Sequence, residues 1–75
     1  MEIKEDLRIA KLIEKDRAKN NLFKCFVASK RGNNAVGKGA DRSVILATQD
    51  GKDWYQFAKI WGKNNEERAR KIVNN

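Results

Sequence analysis

Apolar residues recur at helical spacing in the first part of the chain. Residues 2–19 contain neither glycine nor proline, and strong helix formers dominate them. The apolar positions form two offset stripes, one of Ile3, Leu7 and Ala10 and one of Ile9, Leu12 and Ile13. The pattern predicts a helix over residues 2–19 that stops at Asn20 and Asn21. Its wide apolar face indicates either a well-buried helix, which we favour, or a helix that also contacts a partner.

Two runs after this helix have the composition of β-strands. Residues 22–30 and 43–48 are rich in aromatic and β-branched side chains, which favour strands. Alternation in the first run places Phe23, Cys25 and Val27 on one face and Leu22, Lys24, Phe26 and Ala28 on the other. Glycine and asparagine are frequent between the two runs, so residues 31–42 are predicted to form a loop.

The run 53–61 fits two patterns. Trp54, Phe57, Ala58 and Trp61 match helical spacing. Aromatic enrichment, together with the Asp50-Gly51 turn signal before the run, favours a strand that ends at Gly62. The strand interpretation is adopted, and it places Tyr55, Phe57, Lys59 and Trp61 on a common face.

Residues 65–74 predict a short second helix. Asn64 is placed to cap it, with Glu67 as the reciprocal partner of a capping box. The predicted order is therefore α-β-β-β-α over a single domain of residues 1–75. We expect an α+β fold, in which the two helices cover a small antiparallel sheet of about three strands.

The composition limits how so short a chain can be stabilised. One cysteine and no histidine among 75 residues exclude an intrachain disulfide and argue against a structural zinc. No cofactor is expected, and an apolar core remains, with a homodimer left open. The lone Cys25 favours a reducing compartment, and neither a signal peptide nor a long apolar run is visible. We expect a cytoplasmic protein with no membrane partner.

The chain is strongly basic, with 17 Lys and Arg against 10 Asp and Glu, a net charge of +7. Residues 22–63 carry eight basic and three acidic side chains, so most of the excess lies in the middle of the chain. Sustained positive charge attracts polyanions, of which nucleic acid is the commonest in cells. The alternative is a solvated surface that only keeps the protein dispersed.

Aromatic residues alternate with cations in this middle part. Single-stranded nucleic acids bind where bases stack on exposed rings and phosphates meet Lys or Arg. The alternative is that these rings form the core of a small domain. The predicted ligand-binding residues are Lys24, Arg31, Lys38, Arg42, Trp54, Tyr55, Lys59, Trp61 and Lys63.

Residues 32–38 match the first seven positions of a phosphate-binding P-loop, G-x-x-x-x-G-K. Gly39 stands where that motif needs Ser or Thr, and a strand-like run follows instead of a helix. Nucleotide hydrolysis is therefore not expected. Glycine-rich backbone beside Arg31, Lys38 and Arg42 is suited to holding a phosphate, and the alternative is a plain hairpin loop.

Little in the sequence supports catalysis. Histidine is absent, and the few hydroxyl side chains have no adjacent base. Cys25 follows Lys24, whose charge would favour the thiolate. The simpler interpretation is a small buried apolar residue, which we adopt. We expect a protein that is not an enzyme.

The element order and the basic charge are similar in outline to a double-stranded-RNA-binding domain. That family carries a lysine cluster, K-K-x-A-K, at the start of its last helix. The corresponding stretch here contains Glu66 and Glu67, and this departure argues against the family.

The chain ends with residues 57–62, a strand closing on Gly62, and residues 66–73, a helix with an acidic start. This ending resembles that of many small phage-encoded proteins. The resemblance implies an accessory protein of a phage or mobile element that inhibits a host defence protein or nucleic-acid enzyme. Two functions thus remain: a binder of nucleic acid or another phosphate-bearing ligand, which we favour, and a protein-binding inhibitor or adaptor.

Overall fold

The computed structural model describes residues 2–31 and 41–74, with side chains from Lys4 onward. The elements in chain order are α1 (Glu2–Lys19), β1 (Lys24–Lys30), β2 (Arg42–Thr48), β3 (Tyr55–Trp61) and α2 (Asn65–Asn74). This α-β-β-β-α order confirms the predicted α+β fold. The run 53–61 contains a strand, as the aromatic enrichment indicated. The P-loop-like segment with Lys38 lies outside the described residues, as does the side chain of Ile3.

The three strands form one antiparallel sheet in the order β1-β2-β3, so β2 is central. Both helices pack against the same side of this sheet. The core there is formed by Ile9 and Ile13 of α1, Ile72 and Val73 of α2, Phe23, and Ile45, Ala47 and Ile60 of the sheet, together with Ala69. Among the described elements, none covers the opposite side, which we call the open face.

A β-bulge in β3 decides which side chains reach each face. Ile45 of β2 pairs with Ala58 and Leu46 pairs with Gln56, so Phe57 is an extra residue in β3. Phe57 packs against the core, with its ring centroid 5.8 Å from that of Phe23 in an edge-on arrangement.

The predicted common face of residues 55, 57, 59 and 61 is therefore wrong. Phe57 lies on the helix-covered side, and so does Tyr55, which pairs with the buried Ala47. Lys59 and Trp61 lie on the open face, because the bulge reverses the alternation between them and Tyr55. The face predicted for β1 is confirmed, since Cys25 and Val27 pack towards the core.

Helix α1 buries only part of its apolar surface. Ile9 and Ile13 are in the core, whereas Leu7 is 58% exposed and Leu12 is 41% exposed. The favoured interpretation of a well-buried helix is wrong at these two leucines. They lie on either side of the buried stripe, where the sheet and α2 are too narrow to cover them.

The start of α2 is held by residues other than the expected capping box. Asn64 accepts the backbone N–H of Arg68 at 2.9 Å through its carbonyl, but its φ of 57° is left-handed, unlike the extended backbone of a side-chain cap. Instead, the buried hydroxyl of Ser43 donates to Oδ1 of Asn65 at 2.6 Å. Ser29 donates to Oε1 of Glu66 at 2.6 Å, so α2 is anchored to the sheet.

Candidate nucleic-acid interface

The open face is arranged in rows of side chains that cross the strands. Strand register and alternation place the following residues on it: Lys24, Phe26, Ala28 and Lys30 of β1, Arg42, Val44, Leu46 and Thr48 of β2, and Gln56, Lys59 and Trp61 of β3. Residues directly opposite one another across the strands are close enough for their side chains to interact. Val44 and Thr48 of the central strand are nonetheless buried, so the accessible surface is formed by the side chains around them.

The charged strand residues on the open face all have one sign, although the carboxylate of Asp50 accepts the hydroxyl of Thr48 at the end of β2. The strands contain four basic residues, Lys24, Lys30, Arg42 and Lys59, and all four lie on this face. No residue of the three strands is acidic, because the carboxylates of the chain belong to the helices and to the connections between elements. A polyanion that approaches the sheet from this side meets cations from every strand.

Three aromatic rings accompany these cations. Phe26 is 46% exposed, Trp54 is 43% exposed and Trp61 is 45% exposed. Trp54, which precedes β3, packs edge-on against Phe26 with ring centroids 5.0 Å apart and planes 74° apart. Because the two planes are nearly perpendicular, a flat ligand that stacks on one ring is nearly perpendicular to the other.

Trp61 lies at the opposite end of β3, and two flanking cations lie over its ring. The Cζ atom of Arg42 is 5.5 Å from the centroid of its ring, and the Nζ atom of Lys59 is 5.8 Å from it. Register explains both contacts, since Arg42 is directly opposite Trp61 on β2 and Lys59 is two residues earlier on β3. Cation–π attraction of this kind holds positive charge beside the exposed indole.

Arg68 fixes the strand end that carries Trp61. Its Nη1 atom donates to the carbonyl oxygens of Trp61 at 2.8 Å and of Lys63 at 3.2 Å. Its Nε and Nη2 atoms donate to the two carboxylate oxygens of Asp6 at 2.8 and 2.9 Å. With their side chains only 19% and 18% exposed, Arg68 and Asp6 form a partly desolvated, bidentate ion pair.

Five of the nine predicted ligand-binding residues meet on this surface. Lys24, Arg42, Lys59 and Trp61 are on the open face, and Trp54 joins them through its contact with Phe26. Neither indole is sealed in the core.

Tyr55 does not join them. It lies on the helix-covered side, where burial raises the pKa of its hydroxyl and Asp16 raises it further. The alternation rule failed here because it does not anticipate the bulge at Phe57.

The remaining three predicted residues are elsewhere. Arg31 lines a surface depression of about 670 Å³ at the start of α2, together with Glu66 and Glu67. Lys63 lies in the connection between β3 and α2. Lys38 lies outside the described residues.

The structure adds Phe26, Lys30 and Gln56 to the surface. Lys30 and Phe26 alternate with Lys24 along β1, so a strict period-two pattern extended to the end of the strand was a usable signal. Gln56 had no such signal, because its position depends on the bulge.

Cys25 packs against the core beneath β1. Burial raises the pKa of its thiol, and the nearby Arg17 offsets this only in part. The thiol is therefore protonated at neutral pH, contrary to activation by Lys24.

Within residues 2–31 and 41–74, no cluster of three or more His, Cys, Asp or Glu side chains is placed to hold a metal ion. Neither helix of the same described segments combines the length and the apolar character needed to cross a lipid bilayer.

Comparison with known proteins returned no match to a family model, to a curated protein or to a solved structure.

Proposed function

We propose that this protein is a non-enzymatic nucleic-acid-binding protein and that it binds through the open face of its sheet. One observation carries the proposal: four cations and three exposed rings lie on one side of a sheet whose strands contain no carboxylate. The core lies on the other side, around residues such as Ile45 and Ile60, and the rings of the open face are not part of it.

The cations of this surface match the phosphate of a nucleotide, and its aromatic rings match the base. Lys and Arg side chains that neutralise phosphates release condensed counterions, which supplies affinity without sequence preference. Exposed aromatic rings stack on bases, contributing about 1–3 kcal/mol per base. A ligand with phosphates alone would leave Phe26, Trp54 and Trp61 without a role, so a nucleic acid fits the surface better than an inorganic anion.

The proposal is tested by affinity for oligonucleotides as a function of salt. The logarithm of the association constant should fall linearly with the logarithm of salt concentration, with a slope of about −0.7 to −0.9 per phosphate neutralised. The double variant Lys24→Gln/Lys59→Gln should bind at least tenfold more weakly and show a slope shallower by roughly 1.5.

The matched control is Lys4→Gln/Lys15→Gln, which removes the same charge from exposed positions on α1. Its affinity should stay within about twofold of that of the wild type, because α1 lies on the other side of the sheet. A flat salt response, or equal losses in the two double variants, would contradict the proposal.

A protein-binding inhibitor or adaptor is the second candidate function. The exposed Leu7 and Leu12 of α1 favour it, because a helix can place exposed apolar side chains in a partner's hydrophobic groove. Under this alternative, the double variant Leu7→Gln/Leu12→Gln loses a stoichiometric protein complex and retains its fold. Under the nucleic-acid proposal, the same variant keeps its full affinity for oligonucleotides.

A further inference from the structure

We infer that the nucleic acid bound by this protein is a single strand, which lies along β3 with its bases stacked at two separate stations. The first station is the Phe26–Trp54 pair, and the second is Trp61 with its two flanking cations. This inference rests on the proposed function and names the class of nucleic acid.

The width of the charged surface disfavours a duplex. The major groove of B-DNA is about 12 Å wide and admits a helix or a two-stranded ribbon. The open face draws its cations from all three strands, with Lys24 and Lys30 on one edge strand and Lys59 on the other. The backbones of the edge strands are about 10 Å apart before their side chains are added, so the whole face cannot enter the groove.

The exposed rings disfavour a duplex for a second reason. In a duplex the flat faces of the bases are stacked on one another, and a sheet lying against its outside meets only phosphates and sugars. Single strands can splay their bases onto aromatic side chains. Only a single strand therefore uses both the cations and the rings of this surface.

The spacing of the two stations sets the length of strand they require. From Trp54 to Trp61 the chain spans about 20 Å, at roughly 3.3 Å per residue with one residue taken up by the bulge. A strand stretched to about twice the 3.4 Å per nucleotide of duplex DNA needs roughly four nucleotides to cover this distance. Gln56 and Lys59, both exposed, lie between the stations and face the intervening nucleotides.

The flanking cations favour a phosphate next to the base at the second station. Arg42 and Lys59 are within 6 Å of the ring centroid of Trp61, at 5.5 and 5.8 Å. A base that stacks on Trp61 takes the place of a cation over the ring, and that cation then lies next to a phosphate adjoining the base. Arg68 holds the backbone of Trp61, so the strand end that carries this ring is fixed before the ligand arrives.

Fluorescence separates the two stations, because the chain contains only two tryptophans. The variants Trp54→Phe and Trp61→Phe each retain one indole and replace the other with a smaller ring. Each is titrated with a thymidine dinucleotide, a tetranucleotide, a longer oligothymidylate and a blunt duplex of the longer length. Circular dichroism and thermal melting verify that both variants are folded.

We expect the tetranucleotide and the longer strand to quench the indole in both variants over the same concentration range. The dinucleotide, which cannot reach both stations, should bind at least tenfold more weakly than the tetranucleotide. The duplex should also bind at least tenfold more weakly than the longer strand, with little quenching.

The possible outcomes distinguish a failure of the single-strand inference from a failure of the proposed function. Tight duplex binding without quenching leaves the nucleic-acid proposal intact and overturns the single-strand inference. Quenching in only one variant overturns the two-station arrangement. Absence of binding to every oligonucleotide at low salt overturns the proposed function and this inference with it.

Discussion

Arg68 joins three elements through a single side chain. Its guanidinium pairs with both carboxylate oxygens of Asp6 on α1 and donates to the carbonyl of Trp61 at the end of β3. Most exposed ion pairs stabilise a fold very little, but a pair that is largely buried and fully hydrogen-bonded leaves an uncompensated charge when one partner is removed. The backbone at Trp61 is therefore held by a residue outside the open face.

Replacing Arg68 by methionine should lower the free energy of unfolding by about 2 kcal/mol, because Asp6 stays partly buried without its partner. Urea denaturation measures the loss. The matched control is Arg70→Met, since Arg70 pairs with Glu66 on the exposed side of α2 and both side chains are more than half exposed. Similar unfolding midpoints for the two variants would show that the contacts of Arg68 with α1 and β3 do not stabilise the fold.

Asp50 organises the turn between β2 and β3 through one carboxylate oxygen. Its Oδ1 atom accepts the backbone N–H groups of Lys52 at 2.8 Å and Asp53 at 2.9 Å, and the hydroxyl of Thr48 at 3.0 Å. These hydrogen bonds, led by that of Asp53, lower the pKa of Asp50. Gly51 follows with a φ of 80°, which a side chain would strain.

A lowered pKa makes this turn sensitive to acid. The stabilisation from the ionised carboxylate is fully present above about pH 4, the ordinary range of an aspartate, and is lost as pH falls through the lowered pKa. Asp50→Asn keeps a side-chain oxygen but not the charge. At neutral pH the melting temperature of the wild type should be higher than that of the variant. The difference should shrink as the pH is lowered to about 2.5. A difference in melting temperature that stays constant with pH would contradict a stabilising role for the ionised carboxylate of Asp50.

At the scale of elements, the sequence predicts both helices and all three strands, and the structure confirms their order. Periodicity succeeds because each element is long enough to repeat its pattern. The bulge at Phe57 was not predictable, since it is a property of how β3 pairs with β2 and no turn residue marks it. The exposed Leu7 and Leu12 were missed for a similar reason: how much of a helix is covered depends on the width of the layer beneath it.

The bulge yields a test on neighbouring residues. Trp54 contacts Phe26 on the open face, whereas Tyr55 points to the helix-covered side. Trp54→Ala should weaken oligonucleotide binding by about 1–3 kcal/mol, the usual contribution of one stacked base. Tyr55→Ala should leave the affinity within about twofold, once the folded fraction of each variant is known from its melt. Equal losses would place Tyr55 on the binding surface and refute the proposed register effect.

The whole molecule has two chemically different sides. The sheet side carries the cations of all three strands and three exposed rings, while seven of the ten acidic residues belong to the two helices packed on the other side. The two helices also carry nine basic side chains, so their net charge is +2, whereas the strands carry four basic and no acidic side chains. A polyanion is therefore attracted more strongly to the sheet side, and the charge distribution favours that orientation before contact. The net charge alone, known from composition, does not distinguish this arrangement from an evenly basic surface.

The difference between the two sides predicts which amide groups a bound strand affects. In two-dimensional NMR of the amide groups, an oligothymidylate should shift resonances in β1, β2 and β3 and in the turn at residues 49–54. Resonances on the solvent side of α1, around Leu7 and Leu12, should shift little, because the sheet and the core separate them from the ligand. A short-range contact perturbs mainly the groups it touches when the backbone moves little on binding. If the largest shifts instead cluster on α1, the helix and not the sheet is the binding surface, and the cations of the strands serve another purpose.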